Sequence, residues 1–159
     1  MRLNSRELKD FFVGCLLGDG NLHNGVFSVT QTSEDLIKFK HNIIKSHLPN
    51  VKVKITKYPA RIDKNGVNHQ EYYVLYTSPT EYFKKLQKEF YPYGKKIVPE
   101  KYSSRNLFNI GYAMWYADDG TTIHVKKHKE TGSSISRRVQ FCTDNFTEDD
   151  VKNKLLPMV

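Results

Sequence analysis

The sequence predicts an α+β fold built from two rounds of one element order, helix–hairpin–helix–hairpin–helix, with antiparallel sheets and an incomplete second round. Three observations predict it. Apolar residues recur at helical spacing in some segments and alternate in the segments between them. Turn pairs such as Asn24-Gly25 and Asn65-Gly66 sit where adjacent alternating runs must reverse, which marks hairpins. An apolar helix ending in an acid and a glycine occurs at 12–20 and again at 112–120.

The elements follow in order. Asn4 or Ser5 caps a helix whose apolar positions Leu8, Phe11, Phe12, Cys15 and Leu16 have helical spacing, and it stops at Gly18-Asp19-Gly20. Residues 26–32 alternate as a strand, the return arm of a hairpin turning at Asn24-Gly25. Ser33, followed by two acids, starts a helix with Leu36, Phe39, Ile43 and His47 on one face, ending before Pro49. Residues 51–58 and 71–77 form two further strands. Ser78-Pro79 opens a helix with Phe83, Leu86 and Phe90 inward. The second round starts near Asn106, with Leu107, Ile110, Gly111, Met114 and Trp115 on a helix that stops at Asp118-Asp119-Gly120. A hairpin over 121–127 and 136–143 follows, and Thr147 caps a last helix. This divides the chain into a first half (1–94), a linker (95–105) and a second half (106–159).

Composition narrows the class. The 159 residues are 26% charged and 38% hydrophobic, the balance of a globular domain rather than a disordered chain. No apolar run approaches the ~20 residues that cross a bilayer, and the polar start lacks a secretory h-region. Cys15 and Cys142 lie far apart in apolar segments, as small buried hydrophobes of an intracellular protein. The expectation is a cytoplasmic, organellar or nucleoid location, with no membrane partner and no secretion. Net charge is +8, and +7 of it falls in residues 51–105. Such a surface suits a polyphosphate partner. On charge alone, a solvated lysine-rich surface is an equally good reading.

The near-repeat carries the chemistry. Phe12-Val-Gly-Cys-Leu-Leu-Gly-Asp19-Gly20 and Tyr112-Ala-Met-Trp-Tyr-Ala-Asp-Asp119-Gly120 place two acids 100 residues apart, each before a glycine expected to take the left-handed conformation. A carboxylate at a helix C-terminus faces the negative end of the dipole, which costs stability. Two such helices packed side by side, with Gly14 and Gly18 against Ala113 and Ala117, would present both carboxylates at one end. Paired acids repel each other, and a divalent cation relieves that. Mg²⁺ takes a few carboxylates plus phosphate oxygens and water, and such a site can hydrolyse phosphodiesters.

At these residues the sequence resembles the LAGLIDADG homing endonucleases, in particular the two-motif branch that reads Leu-Gly-Asp-Gly and Trp-aromatic-x-Asp-Asp-Gly. The resemblance extends over nearly all of the chain. It implies motif helices at a pseudo-twofold interface between αββαββα repeats, saddle-shaped antiparallel sheets over the DNA major groove, and Mg²⁺ or another divalent cation such as Mn²⁺. By that match Asp19 and Asp119 are the metal-binding, catalytic acids, with Gly18 and Asp118 beside them in the metal set. Asp118 stands where the family has a small residue. Lys95-Lys96-Ile97-Val98-Pro99 resembles the stretch that supplies an active-site lysine, with Lys96 the better aligned and Lys95 toward DNA.

On the hairpins, Lys52, Lys54, Lys57 and Arg61 are candidates for DNA contact. So are Gln31, Arg137, Arg138 and Gln140, whose side-chain types make bidentate base contacts. Taken singly, each of these last four is more simply a plain surface residue, whereas the paired motifs favour DNA over plain solvent for the Lys52 and Lys54 face. His124 and His128 share no helix face and are rejected as a zinc site. Trp115 and Tyr116 read as core at the helix interface. Only 40 residues follow Asp119, where the first round spends 86 before the second begins. The second sheet is therefore expected to be unfinished, from a degenerated gene, a split enzyme completed by a second polypeptide, or a compact variant. The function expected is a double-stranded DNA endonuclease of an intron, intein or free-standing mobile element. The alternative is a non-catalytic nucleic-acid-binding descendant such as an intron RNA maturase.

Overall fold

The computed structural model describes residues 2–103, 107–126 and 135–158. Helix α1 (Ser5–Leu17) starts with a capping box: Asn4 Oδ1 accepts from the Arg6 and Glu7 amides, and the Glu7 carboxylate accepts from the Asn4 amide. Strands β1 (Asn21–His23) and β2 (Val26–Gln31) are joined by Asn24-Gly25, both at positive φ (49° and 72°), the turn that the pair predicts. Helix α2 (Glu34–His47) begins at Ser33, whose hydroxyl accepts from the Leu36 amide. Strand β3 (Val53–Tyr58), a short distal ribbon of β4 (Arg61–Ile62) and β5 (Asn68–His69), and strand β6 (Tyr72–Thr77) form one long hairpin. Helix α3 (Glu81–Phe90) is capped by Thr80, so Ser78-Pro79 lies just before the helix rather than at its first turn.

The sheet is antiparallel throughout, in the order β1-β2-β6-β3. Register assigns its faces. Phe27, Val29, Leu75 and Ile55 point inward, while Ser28, Thr30, Lys54, Thr56 and Tyr76 share the outer face. Phe12 of α1 is the centre of the core, with rings of Phe11, Phe27, Tyr82 and Phe83 all within 5.6 Å of it. The segment read as a linker is packed. It contains α4 (Glu100–Ser103), and Val98 and Tyr102 are buried.

The second round comprises α5 (Asn109–Asp119), a two-stranded hairpin of β7 (Gly120–Lys126) and β8 (Ile135–Phe141), and α6 (Glu148–Asp150). The last continues as a π turn (Val151–Leu155) and a 3-10 turn (Leu156–Met158). The antiparallel α+β architecture is the predicted one. No helix among the described residues is long and apolar enough to cross a membrane.

Helices α1 and α5 meet backbone to backbone. A Cβ on Gly14 would collide with the Gly111 carbonyl, and its distance to the Gly111 Cα would be 2.9 Å. A Cβ on Gly18 would stand 2.5 Å from the Cβ of Asp118. The close contacts on α5 are therefore Gly111 and Asp118, not Ala113 and Ala117, which are exposed. Buried Asp10 of α1 also caps its partner, since its Oδ2 accepts from the Phe108 amide at 2.9 Å.

Other expectations are corrected. Gly20 and Gly120 are not left-handed. They are needed for space, because a Cβ on Gly20 would be 2.5 Å from the Cys15 carbonyl oxygen and one on Gly120 would strike the Tyr116 ring. Cys142 is exposed, unlike Cys15. Tyr116 is also exposed, because the core side of α5 is taken by Trp115, whose ring packs 4.3 Å from that of Phe141.

Gly14→Ala should destabilise the protein by about 3 kcal/mol, the upper end for overpacking, because a backbone carbonyl cannot rotate out of the way. Denaturant unfolding measures this, and a midpoint close to that of the parent would show that the two helices are not in backbone contact.

Candidate active site

The helix pair ends in a cluster of charge. On the first strand of chain, α1 stops at Leu17, and the Gly20 amide bonds the Cys15 carbonyl at 2.7 Å, so Asp19 projects from a tight turn just beyond the helix. On the second, Asp119 is the last residue of α5, and its carbonyl accepts from the Cys142 amide at 2.9 Å, tying the helix end to the exit of β8. Each acid is held above the usual carboxylate range, first by partial burial; Asp119 is raised further by the negative charge of Asp19.

Lys96 reaches the same place from the stretch after α3. Its flanks are anchored: the Ile97 amide bonds the Phe90 carbonyl at 2.8 Å, and the Val98 amide faces buried Asp150 of α6 at 3.5 Å. The Lys96 ammonium donates to the Gly18 and Gly20 carbonyls at 2.8 and 3.1 Å, one on each side of Asp19. Burial pushes it down to about 8, against the opposing pull of Asp119 and Asp19. An open groove beside it is lined by Asp19, Asn21, Tyr91, Lys95 and Asn145 among others.

Two further residues belong to the cluster. Lys40 of α2 is wholly buried and ion-pairs with Asp118 Oδ1. Gln31 at the end of β2 is also buried, and its amide nitrogen donates to both Asp19 Oδ2 and Asp118 Oδ1 at 3.0 Å. Gln31 is thus part of the charged cluster rather than of the outer sheet face. Asp118 is likewise turned inward, away from a metal-binding position, because Lys40 and Gln31 hold it. Its burial raises it to about 6 despite the facing lysine.

The remaining carboxylates suit a hard divalent cation. Among the described residues no group of three or more His, Cys, Asp or Glu side chains could hold a metal ion. An ion here would rest on Asp19 and Asp119 and complete its shell with backbone, phosphate and water oxygens, which is how Mg²⁺ is commonly bound. The donors are open: Asp19 commits one oxygen to Gln31, and among the described residues the Asp119 carboxylate takes no hydrogen bond.

The candidate DNA contacts divide. Lys54 is on the outer sheet face opposite Tyr76, and Lys52 precedes it by one strand period. Lys57 is paired in register with Tyr73, in phase with Ile55, which places it on the opposite face, where it bonds Glu71 at 2.9 Å. Arg61 is exposed on the distal ribbon and Lys95 is exposed beside Lys96. Arg138 and Gln140 are exposed and lie opposite Ile123 and Thr121. Arg137 pairs with His124 in β8, and its side chain lies outside the described residues. Lys40 was not singled out in the sequence, although it falls at helical spacing between buried Ile37 and Ile44.

The LAGLIDADG DNA endonuclease family model matches residues 9–155. The uncharacterized protein MJ1098 of Methanocaldococcus jannaschii is 28% identical over 150 residues, covering 93% of this chain and 54% of that protein. The chain therefore spans about half the length of this relative. Among solved structures, the homing endonuclease I-WcaI bound to its DNA recognition sequence has the same fold, with a TM-score of 0.74 at 19% identity over 99% of this chain and 68% of that one. I-DmoI in complex with DNA and Mn aligns at a TM-score of 0.40 and 19% identity, over 74% of this chain and 64% of that one.

Lys40→Met should cost about 3–5 kcal/mol, because it leaves Asp118 buried without its counter-charge. Removing both charges in Lys40→Met/Asp118→Ala should recover most of that loss. Unfolding curves of the parent, of Lys40→Met and Asp118→Ala alone, and of the double variant decide it, and additive losses would show that the two residues are not coupled.

Proposed function

The chain belongs to the LAGLIDADG DNA endonuclease family, and from that premise we propose that it is a site-specific, divalent-metal-dependent homing endonuclease hydrolysing phosphodiester bonds in double-stranded DNA. One observation carries the reading: two carboxylates 100 residues apart in sequence meet at one end of a helix pair, with a buried lysine beside them. Helix C-termini disfavour acids, and burial disfavours them again. A fold that keeps both acids there is explained by a cation that binds them.

Asp19 and Asp119 would hold Mg²⁺ or Mn²⁺, which when bound lowers the pKa of a coordinated water and stabilises charge on a phosphate oxygen. The residues of the chain do the positioning. Lys96 bonds the carbonyls on both sides of Asp19 and so sets the turn from which that acid projects. Lowered by burial to about 8, it can hold or release a proton near neutral pH beside the two acids. The outer face of the sheet, with Lys54, Thr30 and Tyr76, supplies the duplex surface, and Lys52, Arg61, Lys95, Arg138 and Gln140 extend it. The location follows its substrate, with DNA in the cytoplasm or in an organellar nucleoid.

A second polypeptide is part of this reading, on a separate observation. Tyr116 and Val139 are 36% and 61% exposed on α5 and β8, whereas their counterparts in the first round, Leu16 and Phe27, are fully buried. A partner carrying an apolar helix and hairpin would cover that face.

Asp19→Asn and Asp119→Asn should each reduce Mg²⁺-dependent cutting of a plasmid library by roughly 10³-fold, equivalent to several kcal/mol of charge stabilisation. Duplex binding should stay within a few-fold of the parent. Chelation by EDTA should stop cutting and Mn²⁺ should restore it; parent protein that cuts in EDTA would exclude a metal mechanism. For the DNA surface, Lys54→Ala should lower the slope of log affinity against log salt by about 1, one phosphate contact's worth. An unchanged slope would move the duplex off that face.

A further inference from the structure

We propose that Lys40 and Asp118 are positioning residues, which act through Gln31 to orient Asp19 for cation binding. The inference rests on the metal reading above and adds residues to it.

The connections run in one direction. Lys40 Nζ donates to Asp118 Oδ1, Gln31 Nε2 donates to that same oxygen at 3.0 Å, and the same nitrogen donates to Asp19 Oδ2 at 3.0 Å. A primary amide has two N–H groups, and both are used. With the two hydrogens of Gln31 committed to two carboxylates on different helix ends, its plane is fixed, and the Asp19 oxygen it holds is fixed with it. The oxygen left free on Asp19 is then the one open to a cation.

The anchor of this relay is rigid. The side chains of Lys40 and Asp118 are both 0% exposed. Asp118 sits against Gly18, with no room for a Cβ between them, and its second oxygen is buried with no hydrogen-bond partner among the described residues. Oδ1 alone therefore carries both hydrogen bonds. A buried acid with one idle oxygen is an expensive way to fill space, since an apolar pair of similar volume would pack as well or better. Its retention is accounted for by what Oδ1 does to Gln31.

The relay also balances charge. Three aspartates face two lysines here, and the Lys40–Asp118 pair is neutral as a unit, leaving Asp19 and Asp119 against Lys96. Its members come from different parts of the chain: Lys40 from α2 and Gln31 from β2 in the first round, Asp118 from α5 in the second. The second motif thereby orients the acid of the first.

The test separates a purely structural pair from a positioning one. Lys40→Met/Asp118→Ala removes both charges together and should keep a parent-like unfolding midpoint. Binding of Mn²⁺ alone, followed by electron paramagnetic resonance of the free ion, should weaken about 10–100-fold, as when partners that orient metal ligands are lost. The side-chain amide protons of Gln31, followed by NMR, should be protected from solvent exchange in the parent and exchange faster in the double variant. If the double variant does not fold, Gln31→Met interrupts the same relay and should weaken Mn²⁺ binding to a similar extent. Parent-like Mn²⁺ affinity and amide protection in a folded variant would overturn the relay and leave the metal reading intact. Failure of the parent to bind Mn²⁺ would overturn both.

Discussion

Backbone contact between two helices is the constraint on which the rest of the structure depends. Where α1 and α5 cross, Gly14 and Gly111 leave no room for a side chain, and one turn further along Gly18 leaves room only for Asp118. An approach this close allows carboxylates attached to two helix ends to share one electrostatic environment. It also explains why Asp10 of one helix can cap the other. A single added methyl group in this seam would separate the acids before it disturbed either sheet.

The approach creates an electrostatic problem, and the surrounding elements answer it unequally. Asp118 receives a full counter-charge from Lys40, so its charge is settled within the protein. Asp19 and Asp119 receive partial help from Lys96, whose own ammonium is disfavoured by burial. The protein thus neutralises the acid that faces inward and leaves a deficit of positive charge around Asp19 and Asp119. This is the arrangement expected where an external cation and a phosphate meet, since hard oxygen donors left open attract Mg²⁺-like ions. The outer face of the first sheet, with Lys54 among threonines and tyrosines, lies on the same rigid scaffold.

Much of this was legible in the sequence. The acid-glycine pairs, the order of elements and the Asn24-Gly25 turn are local signals, and each appears in the structure where expected. The misplacements concern phase and partnership. Gln31 follows Phe27 and Val29 at the strand period, and Lys57 follows Val53 and Ile55, so alternation puts both on inner or helix-facing positions. At both positions phase, not polarity, decides the face. Lys40 carries the same lesson on a helix, since it interrupts the buried row of Ile37 and Ile44. A charged residue in phase with a core points to an internal partner, but that partner, Asp118, is 78 residues away and no local rule finds it. Ala113 and Ala117 are the small residues that the motif offers, yet the seam runs along the other side of α5, through Gly111 and Asp118. Helical spacing alone does not say which side a second helix will take.

Family membership makes DNA the expected substrate class, and the central claim beyond it is that Asp19 and Asp119 act as one cation site. Anomalous scattering from crystals grown with Mn²⁺ tests this most directly. The account predicts a manganese peak at about 2.0–2.3 Å from carboxylate oxygens of both acids, with Asp118 still turned toward Lys40. A peak bound by one acid alone, or by Asp118, would contradict it.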